Sequence, residues 1–215
     1  MPFGASRALE KMVKLQLAGR DIKDPDVLAA MTKVPRHVFV DKELHDQAYD
    51  DKPLPIGHDQ TISQPYMVAL MAASLQLKGD ERILEVGTGS GYAAAILGEL
   101  CGHVYSVECI ESLAIKAQTI LEGLGYRNVS VLVGDGTLGW EQHAPYDAIV
   151  ISAAAPCIPR PLIEQLKSGG YLLMPMGEPE LQILVRIRKD EQELEEEYLG
   201  ECTFVKLRGE YGWRD

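Results

Sequence analysis

Three glycines at alternating positions, Gly87, Gly89 and Gly91, follow a short apolar run and precede a helical run from Tyr92 to Leu100. Because glycine has no Cβ, such a loop can turn sharply and bring its backbone close to a ligand. The spacing G-x-G-x-G, with Glu85 two positions earlier, differs from the dinucleotide pattern G-x-G-x-x-G and argues against a bound pyrophosphate. S-adenosylmethionine, which carries no phosphate, fits better. A plain tight connection between a strand and a helix is the alternative.

Two acidic side chains follow the next predicted strands. Glu108 ends the strand 103–108, about 20 residues beyond the loop, where a doubly wound sheet places the acid that binds the ribose hydroxyls. Asp135 stands between Gly134 and Gly136 at the end of a third strand, a position that suits an acceptor for an adenine amino group. The alternatives are a solvated acid at a strand end for Glu108 and an ordinary Asp-Gly turn for Asp135.

Ser63 precedes a helix that we expect to begin at Pro65. The N-terminus of a helix favours an anion, because its free backbone N–H groups and the positive end of its dipole point there. An ordinary N-cap serine is the alternative. The stretch 46–63 before it is rich in proline, glycine and polar residues, and we expect a long loop without regular structure that lines or covers a site.

The run Ser152-Ala153-Ala154-Ala155-Pro156 follows the fourth predicted strand. Its small side chains leave the backbone accessible to a substrate. A base-flipping amino methyltransferase would carry an Asn/Asp-Pro-Pro-aromatic motif at this position. The run therefore argues against that class of enzyme.

Alternating strands and helices predict an α/β fold with a mostly parallel twisted sheet, helices on both faces and an antiparallel strand pair near the C-terminus. The predicted strands are 82–86, 103–108, 128–133, 146–151, 171–176, 181–187 and 202–207. The acidic run 190–197 is predicted to be the solvated end of the last hairpin. The predicted helices are 6–18 with Gly19 as its C-cap, 25–31 with Asp24 as its N-cap, 65–77, 92–100, 111–124 and 159–166, followed by a turn at Gly169-Gly170.

The 215 residues suffice for a single domain, in which 1–80 supply N-terminal helices and a covering loop and 81–215 supply the nucleotide-binding sheet. The net charge of −11 argues against nucleic acid as the main partner, since such binding depends on clustered Lys and Arg. No apolar run is long enough for a membrane helix, and the N-terminus lacks the layout of a secretory signal. The four cysteines and five histidines show no metal-ligand spacing. We therefore expect a cytoplasmic monomer without a metal site.

The sequence closely resembles the protein-L-isoaspartate O-methyltransferase family. The matching segments are 34–40, 49–57, 60–65 (QTISQP), 85–92, 145–150, 204–207 and 211–213. The glycine loop is common to many methyltransferases, whereas the segment 60–65 is characteristic of this family. The resemblance covers most of the chain, which departs from the family pattern at Tyr66, where some members have His, and at Lys206, where Pro is usual.

The resemblance implies a Rossmann-like methyltransferase fold and methyl transfer from S-adenosylmethionine, giving S-adenosylhomocysteine. The implied acceptor is the free α-carboxylate of L-isoaspartyl and D-aspartyl residues in damaged proteins and peptides. Ser63 corresponds to the active-site serine. The implied cofactor-binding residues are Gln60, Thr61, Ile62, Ser63, Glu85, Gly87, Thr88, Gly89, Ser90, Gly91, Glu108, Asp135 and Gly136. The implied substrate-binding residues are Ser63, Tyr66, Ala154 and Pro156.

The absence of an obvious catalytic base is consistent with this reaction. An α-carboxyl group has a reference pKa of about 3.3 to 3.7, so at pH 7 the acceptor is already a carboxylate. Alignment of the two reactants and exclusion of water can then supply most of the catalysis. Three alternatives stay open: a methyltransferase for nucleic acid or a small molecule, a nicotinamide oxidoreductase, and a binding module without turnover.

Overall fold

The computed structural model describes residues 3–190 and 193–213. The strands are β1 (Leu54–Gly57), β2 (Gln60–Ile62), β3 (Arg82–Val86), β4 (His103–Glu108), β5 (Val129–Val133), β6 (Tyr146–Ile151), β7 (Leu166–Glu178), β8 (Leu181–Lys189) and β9 (Leu194–Cys202). The α-helices are α1 (Phe3–Lys11), α2 (Pro25–Lys33), α3 (Pro65–Ser74), α4 (Tyr92–Leu100), α5 (Glu111–Gly123) and α6 (Arg160–Gln165). No helix in these ranges is long and apolar enough to cross a bilayer.

Seven of the strands form one sheet in the order β5-β4-β3-β6-β7-β8-β9. The five from β5 to β7 are parallel, and β8 and β9 add an antiparallel pair at one side. Strands β3 and β6 are almost entirely buried, as expected for parallel strands covered on both faces. The predicted fold class is confirmed.

The strand order reverses between β3 and β6. The chain runs outward from β3 through β4 to β5, and it then returns to place β6 on the other side of β3. Ligands of open α/β sheets bind outside the carboxyl ends of the strands at such a reversal. The observed topology therefore directs attention to the residues that follow Val86 and Ile151.

Both faces of the sheet carry a hydrophobic cluster. The larger one joins residues of the N-terminal helical region, such as Met12 and Met31, to sheet residues such as Ile83 and Leu184. The smaller one packs on the opposite face and includes Leu162 of α6. The N-terminal segment thus packs directly on the sheet.

The prediction that 46–63 lacks regular structure is wrong. Within it, β1 and β2 form an antiparallel hairpin in which Leu54 pairs with Ile62, and residues 42–47 form a 3-10 helix that overlaps the start of the stretch. Leu54 and Ile56 are buried and alternate with exposed residues along β1, which is the period of a strand. Pro55 is tolerated because this two-stranded sheet consists only of edge strands.

The last predicted strand is also wrong, because β9 begins at Leu194 and ends at Cys202. The described part of the acidic run is therefore largely a strand, while 191 and 192 lie outside the described residues. Glu195 and Glu197 pair opposite Arg188 and Arg186 on β8. Opposite charges at facing positions stabilise an antiparallel pair, and this pairing explains how so acidic a segment forms a strand.

One helix end and one predicted turn differ in smaller ways, and one N-cap is confirmed. After α1 the chain continues as a π-helix, Met12–Leu17, whose C-cap is Ala18 rather than Gly19. The N-cap Asp24 is confirmed, since its carboxylate accepts hydrogen bonds from two backbone N–H groups of α2. The glycines at 169 and 170 lie in an irregular part of β7, where the pairing with β6 passes from Leu166 to Tyr171.

Candidate active site

A cleft of about 1070 Å³, open solvent at its mouth included, lies at the carboxyl ends of β3, β4 and β6. Its lining is mainly apolar with a few polar groups, as in small-molecule sites. The following predicted site residues line it together: Gln60, Thr61, Ile62, Ser63, Gly87, Thr88, Gly89, Ser90, Glu108 and Gly136. The structure therefore brings most of the predicted cofactor-binding residues to one place.

The glycine loop has a backbone that other residues rarely adopt. The φ angles of Gly87, Gly89 and Gly91 are 93°, 53° and 86°, all in the left-handed region. A Cβ on Gly91 would also come within 3.1 Å of the Ala117 side chain. Gly91 is the N-cap of α4, so the loop passes directly from β3 into this helix.

Glu108 is held at the end of β4 by backbone N–H groups. It is only 5% exposed, and its two carboxylate oxygens accept hydrogen bonds from Gly89 N at 2.8 Å and Ile110 N at 3.0 Å. Cys109 Sγ also donates weakly to Oε1 at 3.6 Å, and since a carboxylate has about four acceptor positions, capacity for a further donor remains. Glu108 thus links the glycine loop to β4 and lines the cleft with acceptor capacity left.

Glu85 lies beneath the loop and not in the wall of the cleft. Its side chain is fully buried, and Ser106 Oγ donates to Glu85 Oε2 while lying 2.5 Å from Thr88 Oγ1. Glu85 Oε1 has no partner among the described residues. The pKa of the Glu85 carboxyl is raised to about 8, mainly by burial; the Ser106 hydrogen bond opposes this rise and the nearby Glu108 carboxylate adds to it.

The carboxylate of Asp135 bonds to Thr137 and to the C-terminal segment, which its position in the sequence does not indicate. Its Oδ1 accepts from Thr137 N and Thr137 Oγ1 at 2.8 and 2.6 Å, and its Oδ2 accepts from Glu210 N at 2.7 Å. Three of its roughly four acceptor positions are therefore occupied by the protein. Asp135 anchors the C-terminal segment, and it is the neighbouring Gly136 that lines the cleft.

Ser63 lies where the cleft meets a second cavity. The N-cap of α3 is Gln64, so Ser63 stands one residue earlier and is not the N-cap. Ser63 is half-buried, and its hydroxyl makes no hydrogen bond to another described residue. The second cavity, called the groove below, encloses about 1130 Å³ with its open solvent and is lined by Pro53, Thr61, Ser63, Gln64, Met67, Ser152, Glu201, Cys202, Thr203, Phe204 and Val205.

Three predicted substrate contacts lie outside both the cleft and the groove. The Tyr66 ring lies 3.3 Å from the Arg20 guanidinium carbon, and its hydroxyl donates to Asp21 at 2.9 Å. Ala154 is buried, and both of its backbone polar groups are bonded to the C-terminal segment. Pro156 is exposed. The expectation that the Ala154 backbone is open to a substrate is therefore wrong.

The structure instead brings Ser152 and Ala153 to the cleft, together with Val205 and Lys206 from the C-terminal segment. Ser152 N donates to Val86 O at 2.8 Å, which fixes it beside the start of the glycine loop. Ser152 could have been identified from the sequence, because it is the first polar residue after β6. Val205 was marked only by its place in the segment 204–207 that carries the resemblance, and its position at the cleft depends on how the chain returns after β9.

These features fit S-adenosylmethionine. The glycine loop, 87–91, lets its backbone come close to a ligand. Gly136 is tightly packed on the wall of the cleft, since a Cβ there would come 2.5 Å from Val86. Glu108 supplies acceptors for hydroxyl groups, and the unpaired buried oxygen of Glu85 lies behind a loop that would face a cation. No group of three or more His, Cys, Asp or Glu within 3–190 and 193–213 is placed to hold a metal ion.

The family model for protein-L-isoaspartate(D-aspartate) O-methyltransferase matches residues 7–212. The chain belongs to this family. A protein-L-isoaspartate O-methyltransferase from Syntrophus aciditrophicus is 55% identical over 206 residues, which are 94% of each chain. One from Methanoculleus marisnigri is 51% identical over 208 residues, 97% of this chain and 94% of the relative. The resemblance found in the sequence is confirmed.

Solved structures of the same family share the fold. A protein-L-isoaspartate O-methyltransferase matches with a TM-score of 0.87 at 28% identity, covering 95% of this chain and 67% of that chain. A candidate family member from Plasmodium falciparum, solved in complex with S-adenosyl-L-homocysteine, matches with a TM-score of 0.80 at 26% identity, covering 95% and 98%. The chain is therefore a methyltransferase that depends on S-adenosylmethionine.

Proposed function

We propose that the cleft binds S-adenosylmethionine and that the groove presents the free α-carboxylate of an L-isoaspartyl or D-aspartyl residue to it at Ser63. The enzyme thereby starts the repair of damaged proteins and peptides. The observation that carries this assignment is the wall shared by the two cavities, which Thr61, Ser63, Ser152 and Val205 line on both sides. A donor in one cavity and an acceptor in the other would meet at these residues.

The residues of the cleft divide the binding of the donor among them. The backbone of Gly87 to Gly91 approaches its amino-acid part, Glu108 accepts from its ribose hydroxyls, and Gly136 leaves room for its adenine. Gln60, Thr61 and Ile62 of β2 cover it from the N-terminal side. When bound, S-adenosylmethionine supplies a methyl group on a sulfonium, which is electrophilic without any proton transfer.

Ser63 orients the acceptor. The α-carboxylate is already ionised at neutral pH, so no group has to remove a proton. The Ser63 hydroxyl has no partner among the described residues and is free to donate to one carboxylate oxygen. When that oxygen is fixed, the other carboxylate oxygen faces the cleft. Alignment of this oxygen with the methyl group then supplies the rate enhancement.

Replacing Ser63 tests this role. Ser63→Ala removes a hydrogen bond to a charged group, worth about 1.5–3 kcal/mol, and is expected to lower kcat/KM by about tenfold to a few hundredfold. The assay is transfer of labelled methyl to paired peptides with an isoaspartyl or a normal aspartyl linkage. Ser74→Ala at the other end of α3 is the control, because the Ser74 hydroxyl bonds only Leu70 O and Ser74 lines neither cavity. Unchanged turnover by Ser63→Ala would refute the role of Ser63, and no methylation of either peptide by the native enzyme would refute the function.

We further propose that the chain acts as a single-domain monomer in the cytoplasm and does not bind nucleic acid. The larger core cluster, which contains both N-terminal and sheet residues, supports one domain. Cys101, Cys109, Cys157 and Cys202 are free thiols, as expected in a reducing compartment. Light scattering tests the oligomeric state: a mass of twice 23.7 kDa would contradict the monomer.

A further inference from the structure

The groove beside Ser63 carries one charge. Among the described residues that line it, Glu201 is the only charged side chain. Burial raises the pKa of the other titratable group, the Cys202 thiol, to about 11, so it is neutral at pH 7. Glu201 is exposed, and its carboxylate has no hydrogen bond or ion pair with another residue in 3–190 or 193–213.

The sheet topology explains why this carboxylate stands at the active site. Strand β9 is antiparallel to β8, and β8 is antiparallel to β7, so the carboxyl ends of β7 and β9 lie at the same end of the sheet. Because β7 is parallel to β6, that is also the end where Ser152 lines the cleft. Glu201 is the penultimate residue of β9 and faces Ile183 in the β8 pairing.

The acidic residues nearer the start of β9 have partners within the sheet. Glu195 and Glu197 form ion pairs with Arg188 and Arg186, and Glu196 accepts a hydrogen bond from Tyr198. These interactions stabilise the strand, which explains why the carboxylates are there. Glu201 lies opposite an apolar residue and next to the acceptor site, so the same explanation does not apply to it.

We propose that Glu201 is a specificity-determining residue that favours isoaspartyl substrates with Lys or Arg beside the damaged residue. The inference rests on the proposed function and extends it. An isoaspartyl residue bound at Ser63 places its chain neighbours in the groove, where a cationic side chain meets Glu201. The cations at the active site, Lys206 and Arg208, line the cleft and not the groove. Among the described side chains that line the groove, an acidic neighbour therefore meets one charge, the like charge of Glu201.

Peptides that differ only in the residues flanking isoaspartate test the proposal. Two unit charges about 4 Å apart in water interact by about 1 kcal/mol, which is about fivefold in binding. Attraction of Lys and repulsion of Glu act in the same direction, so Lys-flanked peptides should exceed Glu-flanked ones by about fivefold to 25-fold in kcat/KM at low salt. Glu201→Gln should reduce this ratio at least about threefold, and Glu201→Lys should reverse it. Raising the salt to about 0.5 M should bring the native ratio close to one.

Glu196→Gln is the matched control. It removes the same charge from the same strand, but it lies five residues away, about 16 Å along an extended chain and beyond a screening length of about 8 Å. It should leave the ratio unchanged, which separates the effect of Glu201 from that of the net charge of −11. A peptide with neutral flanks, assayed with each of the four proteins, shows whether a variant still turns over an isoaspartyl substrate.

The outcomes separate the two proposals. An unchanged Lys-to-Glu ratio in both Glu201 variants, with normal turnover of the neutral peptide, would overturn the role of Glu201 alone. An equal change in Glu196→Gln would overturn it in favour of the overall field of the protein. Failure of the native enzyme to methylate the neutral isoaspartyl peptide would overturn the proposed function and the role of Glu201 with it.

Discussion

Gly136 lines the cleft and also packs against the strand that leads into the glycine loop. An ideal Cβ at this position would lie 2.5 Å from Val86 Cγ1 and 3.5 Å from Val86 Cβ. Val86 is 2% exposed, lies in the central strand β3 and is β-branched, so it has little freedom to rotate away. Gly136→Ala must therefore displace either the backbone at 136 or the wall of the cleft.

The size of the effect follows from this clash. One extra methyl group in a well-packed site costs about 1–3 kcal/mol, which in a domain of this length lowers Tm by about 2–12 °C. If binding requires the wall in its original place, the same strain weakens the affinity for S-adenosylhomocysteine by between about fivefold and 150-fold. Thermal unfolding without ligand and calorimetric titration with S-adenosylhomocysteine measure the two effects separately.

Gly134 on the other side of Asp135 provides the control. A Cβ there would come no closer than 3.9 Å to its neighbours, Leu132 and Val107. Gly134→Ala should therefore change stability by less than about 0.5 kcal/mol, or raise it slightly by restricting the unfolded chain. Equal losses at the two glycines would show that flexibility of the turn, not contact with Val86, decides the outcome.

A double-mutant cycle isolates the contact. Val86→Ala removes Cγ1, the atom that the new Cβ would meet. In the Val86→Ala background, Gly136→Ala should cost less than about 0.5 kcal/mol, giving a coupling energy of about 1–3 kcal/mol. If Gly136→Ala costs the same in both backgrounds, the reasoning from steric overlap is refuted.

Two further predictions concern groups that the sequence assigned to the site. The pKa of Glu85, raised to about 8 in the fold from its usual 4.5, gives a stability contribution that is full below pH 4.5 and lost as the pH rises through 8. The Tm of the ligand-free protein should therefore fall more steeply from pH 5 to pH 9 for the native chain than for Glu85→Gln. Parallel plots of Tm against pH would contradict the raised pKa. Tyr66→Phe removes only the exposed bond to Asp21, so kcat/KM toward an isoaspartyl peptide should stay within about twofold. A decrease of tenfold or more in kcat/KM would show that Tyr66 does contact the substrate.

The predicted site residues that line the cleft are mostly fixed by their neighbours in the sequence. The glycine loop, the strand before it and the helix after it lie within the 19 residues 82–100, and their geometry follows from missing Cβ atoms and from apolar runs. Glu108 was located because the length of one helix and one strand sets its distance from the loop. Such features survive folding because few distant contacts can change them.

The errors arise where a distant residue decides the outcome. The acidic segment at the start of β9 becomes a strand because Arg186 and Arg188 face it from β8. Tyr66 is drawn to Arg20 and Asp21, more than 40 residues earlier. No local pattern announces these partners, since each depends on which segments the tertiary structure places side by side.

Ala154 and Asp135 show a related limitation with a functional meaning. Both were predicted to contact ligands, and both bond to the C-terminal segment. Ala154 O accepts from Leu207 N and from Trp213 Nε1, each at 2.8 Å, and Asp135 Oδ2 accepts from Glu210 N.

That segment in turn supplies Val205 to the wall shared by the cleft and the groove. Residues at the carboxyl ends of β5 and β6 thus act on the site indirectly, by fixing a segment that folds back across the end of the sheet after β9. The sequence identified the correct end of the sheet, and the contacts across it required the folded chain. Because Val205 and Ser63 occupy the same wall, loosening the segment should disturb the acceptor side and the donor side together.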